Sequence, residues 1–359
     1  MKKIAVITLF YHNYNYGGVL QAYALQKEIQ KLGYECDIVS MDRQTMKVFI
    51  SEENNKNNPI SIFTVLKNRI QNKWNYMFCM KELNKKIKKF DFFIDRNIKK
   101  TDIVYTSDTI SQIISKYDLF ITGSDQVFSP VSGRPETFLS FVPDEKGKIS
   151  YAASIGADFV SDEYGRYIKP FLERFDAVSV REKSAKTMID NLIGKDICKV
   201  VLDPTLLYQG NWPNLTSPVD GIVEESYVLL YFLGESDYEW NQAYSYAKTT
   251  GLQIFNIPYN KMKYNKRDYR YRKNFVGGGV GPEEFLWLIQ NAGIVLTDSF
   301  HGTVFSVLFH KKFLVYSRET ENKNGTMNRR IQDFLTSLSL EDRMVNRNNE
   351  KNSLKQQRN

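Results

Sequence analysis

Apolar runs of four to eight residues alternate along the chain with longer stretches whose apolar positions recur every three or four. KIAVITL reads as a buried strand, VLQAYALQKEIQKLG follows with helical spacing and stops at Gly33, and YECDIVSM reads as the next strand. Strand, helix and strand within about 40 residues make a βαβ unit, which implies a parallel sheet with ligands beyond the carboxyl ends of its strands. The pattern resumes with YDLFITGSDQVF, KISYAASIG, FDAVSVREKSAKTMIDNL and CKVVLDPTLL. It starts afresh after a proline cluster (Pro204, Pro213, Pro218) with YVLLYFLG, a helix near 237–250, LQIFNIPY, PEEFLWLIQNA, GIVLTDSF, GTVFSVLF and KKFLVYS.

This pattern predicts an α/β chain of two doubly wound, Rossmann-like domains facing one another across a cleft. The first spans 1–210 and carries a basic helical insertion at about 43–100. The second spans 222–340, with a helix in MNRRIQDFLTSLSL, and a polar tail over 341–359 is expected to be disordered. The length of 359 residues agrees with two cores, and 42% hydrophobic with 25% charged residues is globular composition.

Charge changes the picture in one place. Residues 61–100 hold eleven Lys or Arg against three acids, which equals the whole formal charge of +8. Interleaved with Trp74, Tyr76, Phe78, Phe90, Phe92 and Phe93, the segment is either a solvated basic helix face with aromatics turned inward or a surface for an anionic membrane. No nucleic-acid module accompanies it. The N-terminus meets polar residues too early for a secretory signal and no apolar run spans a membrane, so the expected location is cytoplasmic, peripheral at most to the inner face of the membrane. Cys36, Cys79 and Cys198 match neither a zinc spacing nor a disulfide framework and read as buried thiols.

The candidate chemistry lies at strand ends. Asp298, Ser299, Phe300, His301, Gly302 and Thr303 stand where GIVLT meets a helix. A helix N-terminus offers free N–H groups and a positive dipole end, so the junction suits an anion, with Asp298 or Ser299 as cap. A bound anion would favour a protonated His301 as proton donor; equally, His301 is a residue filling a turn. Gly302 leaves room for a ligand. In the first domain, Ser124 and Asp125 follow a buried strand, and Asp125 is a general base or a capping residue. Asn15, Gly17 and Gly18 either cradle a substrate at a helix start or make a tight turn. Arg181 follows VSV and is suited to a carboxylate or phosphate, or is an exposed helix-start charge. Arg329 and Arg330 form a further candidate pair. His310 reads as a surface residue, and Gly277 to Gly281 as a turn before a helix opened by Pro282, Glu283 and Glu284, since no P-loop lysine is present.

Taken in order, YGGVLQAYAL, DLFITGSDQVF, YAASIG, VSVREKSA, VLDPT, GIVLTDSFHGTVFSVLF and KKFLV resemble the polysaccharide pyruvyl transferase family over about residues 4–335. The resemblance implies a glycosyltransferase-B-like fold and transfer of a pyruvyl group from phosphoenolpyruvate to sugar hydroxyls as a ketal, in capsule or exopolysaccharide biosynthesis. It matches the family's histidine-glycine motif to His301 and Gly302 and its strand-end arginine to Arg181. Many members carry arginine two positions before that histidine, where this chain has Ser299. In the implied reaction His301 is the acid, Asp125 the base, and Arg181 with the helix start the donor site. Phosphoenolpyruvate is a substrate, no metal or other cofactor is expected, and the acceptor is a sugar or lipid-linked oligosaccharide. Two other readings share the layout: a nucleotide-sugar glycosyltransferase and a non-catalytic glycan-binding relative.

Overall fold

The structure is a computed structural model that describes residues 2–46, 49, 83–219, 222, 227–234, 237–257, 279–318 and 328–345. Contacts divide the chain into two compact units. One comprises Met1–Glu52, Ile94–Gly210 and Glu321–Phe334; the other comprises Glu53–Phe93, Asn211–Thr320 and Leu335–Asn359.

In the first unit, β1 (Lys3–Ile7), β2 (Glu35–Ile38), β3 (Leu119–Thr122) and β4 (Gly147–Ser150) form a parallel sheet in the order β2-β1-β3-β4. β5 (Val178–Val180) and β6 (Cys198–Val200) pair in parallel, and parallel bridges at Ile149–Ala177 and Ala153–Val180 carry the sheet on from β4. The order departs from chain order because each crossover is filled by a helix or long loop: α1 (Tyr16–Lys31) follows β1, α3 (Asp162–Leu172) follows β4, and α4 (Lys183–Ile193) follows β5. α1 starts at Asn15, whose side chain accepts from Gly18 N, and ends before Gly33 at φ 86°. Ala5, Ile7 and Phe120 join one apolar cluster with Ile110 and Ile113; Val178, Val180 and Cys198 join another with residues of α3 and α4. Apolar strands covered by helices are what the unbroken hydrophobic runs require. α5 (Pro204–Leu207) is capped by Asp203.

The second unit holds β7 (Tyr227–Tyr231), β8 (Gln253–Asn256), β9 (Ile294–Thr297), β10 (Phe313–Tyr316) and β11 (Met344–Val345), all parallel, in the order β11-β10-β9-β7-β8. Alternate residues Val228, Leu230, Ile294, Leu296, Leu314 and Tyr316 pack with Trp240, Ala243 and Ala247 of α6 (Asp237–Thr250). On the other strand face lie α7 (Pro282–Gln290) and α8 (Phe300–Leu308), where Tyr231, Phe285, Phe305 and Trp212 meet edge to face with ring centroids 5.1 to 6.1 Å apart. α7 opens with Pro282 and a bond from Gly281 N to Glu284 Oε2 at 2.9 Å.

Three expectations change. The tail is not loose from 341: residues 341–343 form a helical turn and Met344–Val345 add a strand to β10, because two buried apolar side chains complete that edge. Residues 346–359 lie outside the described residues. The basic insertion does not persist to 100 as an excursion of the first unit. Its described part is a helix, α2 (residues 83–97), of which 83–93 group with the second unit through the Lys89–Glu284 ion pair, and pairing with the first sheet resumes at the Ile38–Lys100 bridge. Most of the segment, including Cys79, lies outside the described residues, as do Gly277 and Gly278 elsewhere in the chain. On α2, Phe90, Phe93 and Ile94 are buried and Phe92 is 59% exposed; Lys86, expected on a solvated face, is 5% exposed over the Phe90 ring. Cys36 and Cys198 are free and buried, and burial pushes each thiol up to about 12. Among the described residues no helix is long and apolar enough to cross a membrane. α9 (Arg329–Ser337) begins in the first unit, not the second.

Candidate active site

At the carboxyl ends of β3, β5 and β6, the first unit gathers a buried charge cluster. Arg181 is 1% exposed at its side chain, and its Nη1 donates to Asp203 Oδ2 at 2.8 Å. Ser124 Oγ donates to the same oxygen at 2.9 Å, while Asp203 Oδ1 accepts from Thr205 N at 3.0 Å and Thr205 Oγ1 at 2.6 Å. The guanidinium also lies 3.6 Å from Asp125 Oδ1 and 3.6 Å from Glu182 Oε2. Burial alone would lower the Arg181 pKa, but the summed pull of Asp203, Glu182 and Asp125 raises it. Burial pushes the Glu182 carboxyl up against the opposing pull of Arg181, with Ser154 Oγ donating to it at 2.7 Å. Three carboxylates surround one arginine, so Arg181 serves as their counter-charge and is not an open receptor for an anion.

Asp125 is the member of this cluster nearest to solvent, with a side chain 13% exposed. Its φ of 75° puts a non-glycine residue in the left-handed region, which the surrounding pairing enforces: its carbonyl accepts from Val127 N at 2.7 Å and Ser154 N at 2.9 Å. The α1 N-terminus reaches the same loop. A Cβ on Gly18 would stand 3.6 Å from Asp125 Oδ2 but only 2.8 Å from Leu9 O, so glycine is needed for the close approach of the helix start to the strand end. Gln21 Nε2 donates to Thr8 Oγ1, which donates to Ser124 O, tying α1 to the loop. Arg330 reaches Gln126: with the amide turned to satisfy its hydrogen bonds, the Gln126 oxygen accepts from Arg330 Nη1 at 2.5 Å. Arg329 instead is exposed and lines an open groove of about 730 Å³ with Phe159, Arg166 and Lys169 between α3 and α4. Adjacent helical residues point about 100° apart, so only one of the pair faces inward.

In the second unit the β9–α8 junction is ordered by three side chains. Ser299 is the cap, accepting from Gly302 N at 3.3 Å, and Thr303 Oγ1 donates to Ser299 O at 2.9 Å. Asp298 does other work: Oδ1 accepts from Leu233 N at 2.6 Å, Oδ2 from Gly234 N at 2.7 Å, and Arg318 donates through Nε to Oδ2 at 3.1 Å and through Nη2 to the Asp298 carbonyl at 2.7 Å. His301 occupies the second helical position and is 7% exposed. A Cβ on Gly302 would meet Thr297 Oγ1 at 2.5 Å and Tyr231 at 3.2 Å, so this glycine lets α8 lie against β9; ligand approach is not what its missing side chain serves.

The sequence model of the polysaccharide pyruvyl transferase family matches residues 15–320, most of the chain and both strand-end clusters. The chain belongs to this family. No curated protein matches it. Among solved structures, the UDP-GlcNAc 2-epimerase of Methanocaldococcus jannaschii superposes with a TM-score of 0.51 at 11% identity, covering 96% of this chain and 87% of that one. The UDP-GlcNAc 2-epimerase of Neisseria meningitidis bound to UDP-GlcNAc gives a TM-score of 0.51 at 11% identity over 94% and 91%. The fold of this pyruvyl transferase family member is thus of the glycosyltransferase-B type. Of the residues singled out in the sequence, Ser124, Asp125, Arg181, Asn15, Gly17 and Gly18 gather in the first unit. Ser299, His301, Gly302 and Thr303 gather in the second. His310 is exposed at φ 52°. Arg330, named in the sequence with Arg329, joins the first cluster; Asp203, Glu182, Gln21 and Thr8 lie inside the quoted runs but were given no role there, and Arg318 of the second cluster lies in none of them.

Proposed function

We propose that this protein transfers a pyruvyl group from phosphoenolpyruvate to two hydroxyls of a sugar, forming a cyclic ketal during capsule or exopolysaccharide assembly. The observation that carries this reading is the family match over residues 15–320, which includes the junction holding His301 at the start of α8. His301 acts as general acid. The dipole of α8 disfavours an imidazolium in the free protein, and the arrival of an anionic donor offsets that, so the proton is held when substrate is present. Transfer of this proton to the donor methylene leaves an oxocarbenium-like C2, a sugar hydroxyl adds, phosphate departs, and a second hydroxyl closes the ketal. Each hydroxyl loses one proton, which Asp125, the most accessible carboxylate of its cluster, accepts and gives up in turn; of the two protons, one replaces that spent on the methylene and the other leaves with phosphate. Arg181 holds Asp125, Asp203 and Glu182 in place as a positioning residue.

The acceptor is a sugar or a lipid-linked oligosaccharide. Mass spectrometry of candidate acceptors incubated with phosphoenolpyruvate tests the reading: a pyruvyl adduct that requires the chain is expected. His301→Gln should lower its formation at least about a hundredfold while the melting temperature holds. Glycosyl transfer from a nucleotide sugar with no pyruvyl adduct would establish the rival donor.

A further inference from the structure

Arg43 and Arg134, two further arginines of the first unit, lie outside the Arg181 cluster. Arg43 begins a helical turn just past β2, and Arg134 lies beyond β3 and is 9% exposed. Both hold one short loop: Arg43 Nη2 donates to Ser132 O at 3.5 Å, and Arg134 Nη1 donates to Gly133 O at 2.8 Å and Val131 O at 3.3 Å. Ser132 Oγ in turn donates to Gln126 O at 2.7 Å, which ties this loop to the Asp125 turn. Among the described residues neither guanidinium makes an ion pair, and the Nε–H of each is buried without an acceptor. Burial lowers the Arg43 pKa first and repulsion from Arg134 lowers it further, with Asp125 opposing; burial likewise lowers the Arg134 pKa, with Glu136 opposing, so the two cations share one poorly hydrated neighbourhood whose carboxylates stand beyond ion-pair distance. Like charges desolvated together are costly, and a counter-ion offsets that cost.

We propose that Arg43 and Arg134 form an anion site on the Val131–Gly133 loop and that its occupant is the phosphoryl group of the donor. The site stands on the arginine geometry; the identity of its occupant rests on the pyruvyl-transfer reading. Two guanidiniums match a phosphoryl group, which carries close to two charges at neutral pH and accepts paired N–H bonds, better than they match a single carboxylate.

Calorimetric titration of the full chain with inorganic phosphate, phosphoenolpyruvate and pyruvate at low ionic strength tests this. Arg43→Gln removes the charge but keeps a donor for Ser132 O, so a loop-holding role survives while anion binding does not. Phosphate and phosphoenolpyruvate should bind the unaltered chain and weaken about tenfold or more in Arg43→Gln, with Arg134→Lys intermediate and pyruvate far weaker throughout. The site is refuted if neither anion binds the unaltered chain, or if Arg43→Gln stays within about twofold of it. Pyruvate binding as tightly as phosphate, and lost in Arg43→Gln, would overturn the phosphoryl assignment. Phosphate binding lost in Arg43→Gln by a chain that ketalises no acceptor would leave the anion site standing and remove the pyruvyl-transfer reading.

Discussion

Two buried cations behave in opposite ways: at Arg181 the pull of nearby carboxylates outweighs burial, whereas at Lys86 burial sets the direction. Arg181 sits among Asp203, Asp125 and Glu182, so Arg181→Met strands buried carboxylates and should cost about 3 to 5 kcal/mol at neutral pH. Burial already holds the Glu182 carboxyl above its unfolded value, and loss of the guanidinium's opposing pull raises it further. Protonation then favours the folded form, and the stability deficit of the variant, followed by urea denaturation, should shrink as pH falls from 7 towards 5. Lys86 has its pKa lowered by burial from 10.5 to about 8. The unfolded chain therefore binds the extra proton between pH 8 and 10.5, and stability gains as pH rises through that window. At about 1.4 kcal/mol per pKa unit the penalty at pH 7 is on the order of 3 kcal/mol. Lys86→Met should raise the melting temperature at pH 7 and show no gain near pH 10.5; an equal gain at both would mean that burial of the charge is not what Lys86 suffers.

Elements pack through contacts that no single motif announces. Gly302→Ala gains about 1 kcal/mol of helix propensity and drives a methyl into Thr297, an overpacking cost of about 1 to 3 kcal/mol, so the clash wins and the variant should be the less stable one. β11 makes the corresponding point for the sheet edge. Met344 and Val345 are 7% and 3% exposed, and ending the chain at Leu340 uncovers one side of β10 and forfeits their burial, about 3 kcal/mol in all. Unchanged thermal unfolding after that truncation would show the edge strand to be dispensable. The helices α1, α4, α6, α7 and α8 and strands β1 to β10 follow the sequence periodicity closely, since each is long or apolar enough to carry its own signal. β11 and the Ile38–Lys100 and Met41–Tyr105 bridges do not, because a pairing of one or two residues has no period to read.

For the whole molecule, the formal charge of +8 matters more than any single lysine. If the acceptor is lipid-linked, the chain should co-sediment with vesicles containing anionic lipid at low salt and be released as screening rises above about 0.3 M, with no binding to neutral vesicles. Salt-independent binding would rule out an electrostatic attachment. The sequence alone determined the parallel α/β class and the strand ends that bear Asp125, Arg181 and His301, because hydrophobic periodicity and turn residues are local properties of the chain. Only the tertiary structure decided what those residues face: that Arg181 is spoken for by Asp203, that Ser299 and not Asp298 caps α8, that Gly302 serves packing, and that Arg43 and Arg134 meet on one loop. Those outcomes depend on partners 3 to 91 residues apart along the chain. Charge pairing and steric fit act through space, and a one-dimensional pattern does not record which distant side chain arrives.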